Sequence, residues 1–458
     1  MSSPDTARSQ RRRRPDRARR AAFDALRAVN GDGAYANLVL PALLRERRLT
    51  GRDAAFATEL LAGTCRWQGS YDTIIVAAAG RPLKEFQPAV VDLLRLGAHQ
   101  ILAMRVPTPA AVAAGVDLAA ATVGERVTGL VNAVLRRIAE RSLDEWLDQL
   151  SEGLDDHDRL ALQTAHPRWI VDAYAELLEP PELEQALAAN NHSPAISLAV
   201  RPGLAEVDDL ARAGAEPSGY SPFGARWRGD PADLALVRDG RVGVQDEGSQ
   251  LVTWALTRVA GPPGWWLDLC AGPGGKSALL AGLTRLDGSK LLAADVAPHR
   301  AMLVTAALRA YAGDGSIPTV VVADGTRPAW RSASFARVLA DVPCTGLGAL
   351  RRRTESRWRR GPADVEQLHP LQLALLASAI DSAAPGGIVG YMTCSPHRRE
   401  TSDVLSEVLA VRSDVEVIPA TQLLPEVPDA ALGPYLQLWP HRHGTDAMFA
   451  AYLRKTRA

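Results

Sequence analysis

The chain has 458 residues, of which 47% are hydrophobic and 23% charged, and its 52 basic residues balance 52 acidic ones. That balance excludes a wholly disordered chain, and at roughly 150 residues per domain the length suggests about three domains. No apolar run is long and charge-free enough for a membrane span, the arginine-rich N-terminus lacks the apolar stretch of a secretory signal, and four cysteines make no disulfide framework, so a cytoplasmic protein is expected.

The neutrality hides an asymmetry. Residues 1–20 hold eight arginines against Asp5 and Asp16, and residues 351–360 hold six against Glu355. Both stretches are candidate contacts to a phosphate backbone, with solvated surface as the plainer reading. Residues 1–20 read as a flexible basic tail. From Ala21 to about Ile138 the chain reads as helical. Phe23, Leu26 and Val29 recur at helical spacing, as do Phe56, Leu60 and Leu61. Val90, Leu94, Gly97 and Ile101 mark another helix, and Val131, Val134 and Ile138 a last one. Breaks fall at Gly80-Arg81-Pro82 and at Val106-Pro107-Thr108-Pro109. A helical domain is expected over 21–145.

Residues 140–165 are acidic and polar, as in a linker or surface helix, and Pro167 can start a helix through Trp169 and Ile170. Ile196–Val200 reads as a strand. A small α+β domain with its linker is expected over 146–240. From Gly264 strands and helices alternate, with candidate parallel strands at Trp265–Leu269, Leu291–Asp295, Thr319–Asp324, Phe335–Asp341 and Ile388–Thr393. The fold class of 241–458 is therefore α/β. Asp268, Asp295, Asp324 and Asp341 fall at or near strand ends, where an open α/β sheet binds its ligands. Capping alone would explain one or two of them.

The run Leu267-Asp268-Leu269-Cys270-Ala271-Gly272-Pro273-Gly274-Gly275-Lys276-Ser277 is strand, glycine-rich turn and helix in order. It matches neither the dinucleotide fingerprint nor the phosphate loop of nucleotide triphosphatases, and Pro273 removes one phosphate-facing amide. A nucleoside cofactor with a small charged tail fits better than a triphosphate. Asp295, 27 residues after Asp268, is placed for ribose hydroxyls, and Asp324 for a base edge. Cys65 follows a helical apolar run and reads as a core thiol. Cys344 and Cys394 each follow a predicted strand and can reach one sheet edge. They are too few for a closed zinc site, so no metal is expected. A thiol pair beside a nucleoside cofactor suggests covalent chemistry on a pyrimidine. A thiolate adding at carbon 6 of cytosine makes carbon 5 enamine-like, carbon 5 takes the methyl group, its proton leaves, and the thiolate departs. Asp341 is placed to stabilise the adduct near N3.

These residues together resemble the bacterial 16S ribosomal RNA cytosine-5 methyltransferases of the Sun/Fmu family, the branch with an N-terminal domain similar to NusB. The loop Cys270–Lys276 is similar to the family's Cys-Ala-Ala-Pro-Gly-Gly-Lys, with Gly272 replacing an alanine. Asp341-Val342-Pro343-Cys344 resembles its Asp-Ala-Pro-Cys motif, and Thr393-Cys394 its Thr-Cys motif. Arg351-Arg352 with Trp358, Val244–Gln250 and His443-Gly444-Thr445-Asp446 resemble further family segments. Phe56–Leu60 and Val131–Arg136 resemble the helical domain of this branch.

The resemblance implies a Rossmann-like methyltransferase domain using S-adenosyl-L-methionine, preceded by an all-helical NusB-like RNA-binding domain and a small α+β RNA-binding domain. It implies Cys394 as nucleophile, Cys344 as the residue assisting release, and Asp341 beside the base. For the cofactor it implies Cys270, Ala271, Gly272, Pro273, Gly274, Gly275, Lys276, Asp295, Arg300, Asp324 and Asp341. The expected partner is 16S ribosomal RNA, naked or in an assembly intermediate, with no membrane and no metal. Three alternatives stand beside it: a DNA cytosine-5 methyltransferase, in which Cys344 would be the nucleophile; the same chemistry on transfer RNA or 23S RNA; and a non-catalytic RNA-binding antitermination or assembly factor.

Overall fold

The computed structural model describes residues 15–314 and 318–456, and the chain divides into two compact units. The first comprises the chain up to Val171 together with Arg353–Arg359. It is helical throughout its described residues. Its helices Arg17–Gly31, Gly51–Arg66, Gln68–Ala79, Pro88–Leu102 and Thr128–Ile138 bury Phe23, Leu26, Leu60, Leu61, Tyr71, Ile74, Leu94, Val131 and Leu135 in one core. Gly97 is needed in that core, because a Cβ there would lie 2.4 Å from Leu135 Cδ2. Asp92, also buried, accepts from Arg27 Nη1 and Asn30 Nδ2 at 2.7 Å each and from Arg95 Nη1 at 3.1 Å.

Two expected boundaries move. Residues 1–14 of the expected tail lie outside the described residues, but Arg17–Arg20 already belong to the first helix. The Asp16 side chain caps it by accepting from Arg19 N at 2.8 Å, and Ala18, Ala21 and Ala22 are buried. The polar stretch read as a linker or surface helix forms helices Leu143–Ser151 and Asp156–Gln163, and both belong to the same unit. Trp146 holds the first of them in place: its ring is buried in the helical core and its Nε1 donates to Ile138 O at 2.9 Å.

The second unit opens with a small antiparallel sheet of β1 (Ile196–Val200), β2 (Glu216–Pro217), β3 (Gly224–Trp227) and β4 (Val242–Val244), in the order β2-β3-β1-β4. Leu198, Val200, Leu210, Ala225 and Val242 form its core. β4 carries this sheet past residue 240, where the catalytic domain was expected to begin.

The large sheet contains β5 (Trp265–Asp268), β6 (Leu291–Asp295), β7 (Thr319–Val322), β8 (Phe335–Asp341), β9 (Ala383–Thr393), β10 (Val415–Ile418), β11 (Ala431–Leu432), β12 (Tyr435–Gln437) and β13 (Phe449–Lys455). Its order among the described residues is β7-β6-β5-β8-β9-β13-β12-β11, with β10 also paired to β13. The first five are parallel, and β13 adds antiparallel to β9. Helices Glu247–Arg258, Gly275–Asp287 and Pro298–Leu308 cover one face, and Pro362–Ser382 and Ser402–Val411 the other. Strands covered on both faces are apolar nearly throughout, as in Val338-Leu339-Ala340 of β8. β9 begins five residues before the expected Ile388, and β7 stops at Val322, two residues short of Asp324.

Candidate active site

The order of the large sheet reverses at β5, with β6 and β7 on one side and β8 and β9 on the other. A doubly wound sheet opens a crevice at the carboxyl ends of its strands at such a point. The loop after β5 is stitched to both neighbours there: Leu269 N donates to Leu339 O at 2.8 Å and Ala271 N to Ala294 O at 2.9 Å. Gly272 N donates to Asp295 Oδ2 at 2.9 Å, and the Arg300 guanidinium donates to the Gly272 carbonyl. A Cβ at Gly272 would lie 2.5 Å from Asp295 Oδ2 and 2.6 Å from Arg300 Nε, so a side chain there would require those groups to shift. Gly274, at φ +110°, opens the helix Gly275–Asp287, and a Cβ there would meet Ala307 Cβ at 2.8 Å.

The strand-end acids play different parts. Asp295 is buried, and its Oδ1 accepts from Ala297 N at 2.9 Å. Asp268 is buried with Oδ2 accepting from Ser277 Oγ at 2.6 Å, and burial pushes its carboxyl up to about 7. Asp324 is exposed and turned onto its own loop: Oδ1 accepts from Thr326 N at 2.9 Å and from Thr326 Oγ1 at 2.7 Å, which lowers its pKa. The Asp341 carboxylate accepts from Lys276 Nζ at 2.8 Å. Burial pulls the Lys276 ammonium down, but Asp341 outweighs it and leaves the pKa above the ordinary lysine value. Burial raises the Cys270 thiol, helped by Asp268, which disfavours a thiolate there.

β8 and β9 end side by side, with Asp341 paired to Met392, and deliver Cys344 and Cys394 to one place. Their Sγ atoms are 3.4 Å apart. The hydrogen bond to Cys394 and burial hold the Cys344 thiol well above its usual range. The loop carrying Cys344 is braced by residues the sequence did not single out. Glu400, fully buried, accepts from Thr345 N at 2.7 Å and from the Thr345 hydroxyl, while Gln372 Nε2 donates to Pro343 O at 2.9 Å. In the sequence Glu400 is one more charged residue after Arg398-Arg399, and nothing in its spacing marks it as internal.

The expected basic surface at 351–360 is corrected. Arg351 and Arg357 are buried. Arg351 and Arg352 donate to Asp446 Oδ1 at 3.2 Å each, and Arg352 also to Asp246 Oδ2 at 2.8 Å. Within the helical unit Arg357 Nη1 donates to Ala165 O at 2.9 Å, Arg359 to the carbonyls of Val29, Gly33 and Ala34, and Trp358 Nε1 to Cys65 O at 2.7 Å. Arg360 pairs with Asp364, and Arg353 is exposed. Most of these charges are committed to the protein's own carbonyls and carboxylates. Cys65 itself is a buried thiol whose pKa burial pushes up to about 12.

Comparison with known proteins settles the family. A family model described as 16S rRNA methyltransferase RsmB/F matches residues 260–454, and a NusB family model matches residues 16–140. The ribosomal RNA small subunit methyltransferase B of Pseudomonas syringae pv. tomato is 31% identical over 96% of this chain and 97% of its own. The chain belongs to the 16S rRNA methyltransferase RsmB/F family. It is also 50% identical, over 98% of its length and 99% of the relative's, to a Mycobacterium tuberculosis protein named "Putative methyltransferase Rv1407". The solved structure of PH0851 shares the fold, with a TM-score of 0.80 at 22% identity over 96% of this chain and 99% of that one. NSun6 from Pyrococcus horikoshii with SFG gives a TM-score of 0.54 at 16% identity over 64% of this chain and 99% of that one.

The cofactor of this RsmB/F methyltransferase is S-adenosyl-L-methionine. The site suits it. The Gly272 backbone is bare where a side chain would intrude, and Asp295 keeps acceptor capacity beyond the two amides it already binds. Among the described residues no cluster of His, Cys, Asp and Glu could hold a metal, and no helix is long and apolar enough to cross a membrane.

Proposed function

We propose that this chain methylates carbon 5 of a cytosine in 16S ribosomal RNA through a covalent adduct with Cys394. The observation that carries this reading is the pair of thiols 3.4 Å apart at adjoining strand ends, next to the Lys276–Asp341 pair and the glycine loop. Bound S-adenosyl-L-methionine supplies an electrophilic methyl group. Cys394 Sγ, as the thiolate, forms a bond to carbon 6 of the cytosine, and the displaced electron pair makes carbon 5 nucleophilic. The Lys276 ammonium, held in place by Asp341, offsets the negative charge that thiolate addition puts on the ring. Once carbon 5 is methylated its proton must leave. Cys344 is the group placed to take it. In the free enzyme the hydrogen bond to Cys394 and burial hold the Cys344 thiol above its usual range. To act as that base Cys344 must be a thiolate, so its own proton passes to solvent before it takes the one from carbon 5. Loss of the carbon 5 proton restores the ring double bond, breaks the bond from carbon 6 to sulfur, and returns Cys394 as a thiolate.

Asp295, Arg300 and the Cys270–Lys276 loop hold the cofactor in this reading, and Asp324 lines its base side. The test is transfer of labelled methyl to 16S RNA followed by nucleoside analysis. The label is expected in 5-methylcytidine; label on another base, or in DNA alone, contradicts the reading. A target carbon must leave its stack before a thiolate can reach its face. Naked or partly assembled 16S RNA is therefore expected to be methylated faster than mature subunits, and equal rates would argue against that substrate state.

A further inference from the structure

Four charged side chains, Asp246, Arg351, Arg352 and Asp446, lie together on three separate stretches of the second unit. Asp246 caps the helix Glu247–Arg258, with Oδ1 accepting from Gly248 N at 2.9 Å. The same oxygen accepts from Asp446 N at 3.0 Å, and Oδ2 accepts from Arg352 Nη2 at 2.8 Å. Asp446 Oδ1 accepts from Arg351 Nη2 and Arg352 Nε, and Arg351 Nη2 also donates to Gly444 O at 3.1 Å. Two carboxylates thus neutralise two guanidiniums, and three of the four side chains are less than a tenth exposed. Burying four charges is costly unless each is paired and hydrogen-bonded, and a hydrophobic cluster of the same volume would stabilise the fold as well. The cluster therefore calls for a role beyond stability.

Its neighbours supply one. Three residues before Arg351, Gly348 N donates to Cys394 O at 2.8 Å; immediately after Asp446, Ala447 N donates to Gly348 O at 2.9 Å. A Cβ at Gly348 would lie 1.9 Å from Ala447 O and 2.9 Å from Cys394 O. The ion cluster grips the two segments that flank these bonds, so the main chain of Cys394 is held from Asp446 through Ala447 and Gly348. We propose that Asp246, Arg351, Arg352 and Asp446 are positioning residues for the reaction, fixing the Cys394 main chain through Gly348 so that its sulfur meets carbon 6 in line. The inference rests on Cys394 being the nucleophile. None of the four touches the cofactor loop in the contacts described, so releasing the cluster should slow bond formation and leave cofactor affinity in place.

The experiment uses full-length protein carrying Cys344→Ala, in which the adduct should accumulate on 16S RNA. The rate of adduct formation is read on denaturing gels at saturating S-adenosyl-L-methionine, the affinity for S-adenosylhomocysteine by calorimetry, and RNA half-saturation by titration. Adding Asp446→Asn, or Gly348→Ala, should slow adduct formation about tenfold to a hundredfold, the scale of a displacement near 1 Å at a reacting atom. Both affinities should stay within about twofold. If Asp446→Asn prevents folding, Arg352→Gln takes its place, because that side chain is 26% exposed. Arg352→Lys should then recover part of the lost rate. Adducts that form at the parent rate overturn the inference alone, as does a loss of rate matched by an equal loss of S-adenosylhomocysteine binding. A Cys344→Ala parent that traps no RNA overturns the covalent reading and this inference with it.

Discussion

At the scale of single residues the site depends on places where a side chain is forbidden and on carboxylates that hold backbone. Gly272 shows the first. Its missing Cβ leaves room for Asp295 Oδ2 and Arg300 Nε. Gly272→Ala must displace one of them at an overpacking cost of about 1–3 kcal/mol. Calorimetry with S-adenosylhomocysteine should show affinity reduced about tenfold or more; unchanged affinity would mean that Asp295 and Arg300 yield to the added methyl group without loss. Glu400 shows the second. Glu400→Gln keeps the shape but loses the charge that receives Thr345 N and its hydroxyl, a loss of about 1–3 kcal/mol in bracing the Cys344 loop. Release of methylated RNA should slow while S-adenosylhomocysteine affinity holds, which single-turnover and steady-state rates measured together would show.

At the scale of elements, the strand ends create a pH dependence. Asp268 closes β5 and is pushed up to about 7 from an ordinary value near 4, because burial disfavours its charged form. Between those values the folded protein binds a proton that the unfolded chain has released. This contribution to stability is therefore present in full below about pH 4 and is lost as pH rises to about 7. Asp268→Asn removes it. Urea midpoints of wild type minus variant should fall across that window, and a flat difference would show the carboxyl ionised throughout. Much of this element layer is legible from sequence, because β5, β6 and β8 are apolar runs ending in Asp and the glycine loop sits between strand and helix. Asp324 is less legible. Thr326 draws its carboxylate onto the loop beyond β7, a local turn that strand periodicity does not encode. The ion cluster and Glu400 stay hidden because they join residues about 50 to 200 positions apart.

At the scale of the whole molecule, the segment 351–360 reverses its reading. Its arginines suggest a surface for RNA, yet Arg359 donates to the carbonyls of Val29, Gly33 and Ala34 in the helical unit, and the Trp358 ring packs where a Cβ on Gly69 would be 2.3 Å away. Composition reports how many charges a stretch carries, not which of them its own fold consumes. Arg359→Gln should lower the melting temperature and leave the salt dependence of RNA binding unchanged. A phosphate contact would instead reduce the slope of log K against log salt by about 0.7–0.9. Trp358→Ala should cost about 3 kcal/mol, the lower end for a large aromatic truncation, read as a lower urea midpoint.

The central claim is the division of labour between Cys394 and Cys344, and a denaturing gel of each variant mixed with 16S RNA and S-adenosyl-L-methionine tests it most directly. Cys344→Ala should leave protein covalently attached to RNA, and Cys394→Ala should leave none and transfer no methyl group. A trapped complex with Cys394→Ala, and none with Cys344→Ala, would make Cys344 the nucleophile and contradict the account.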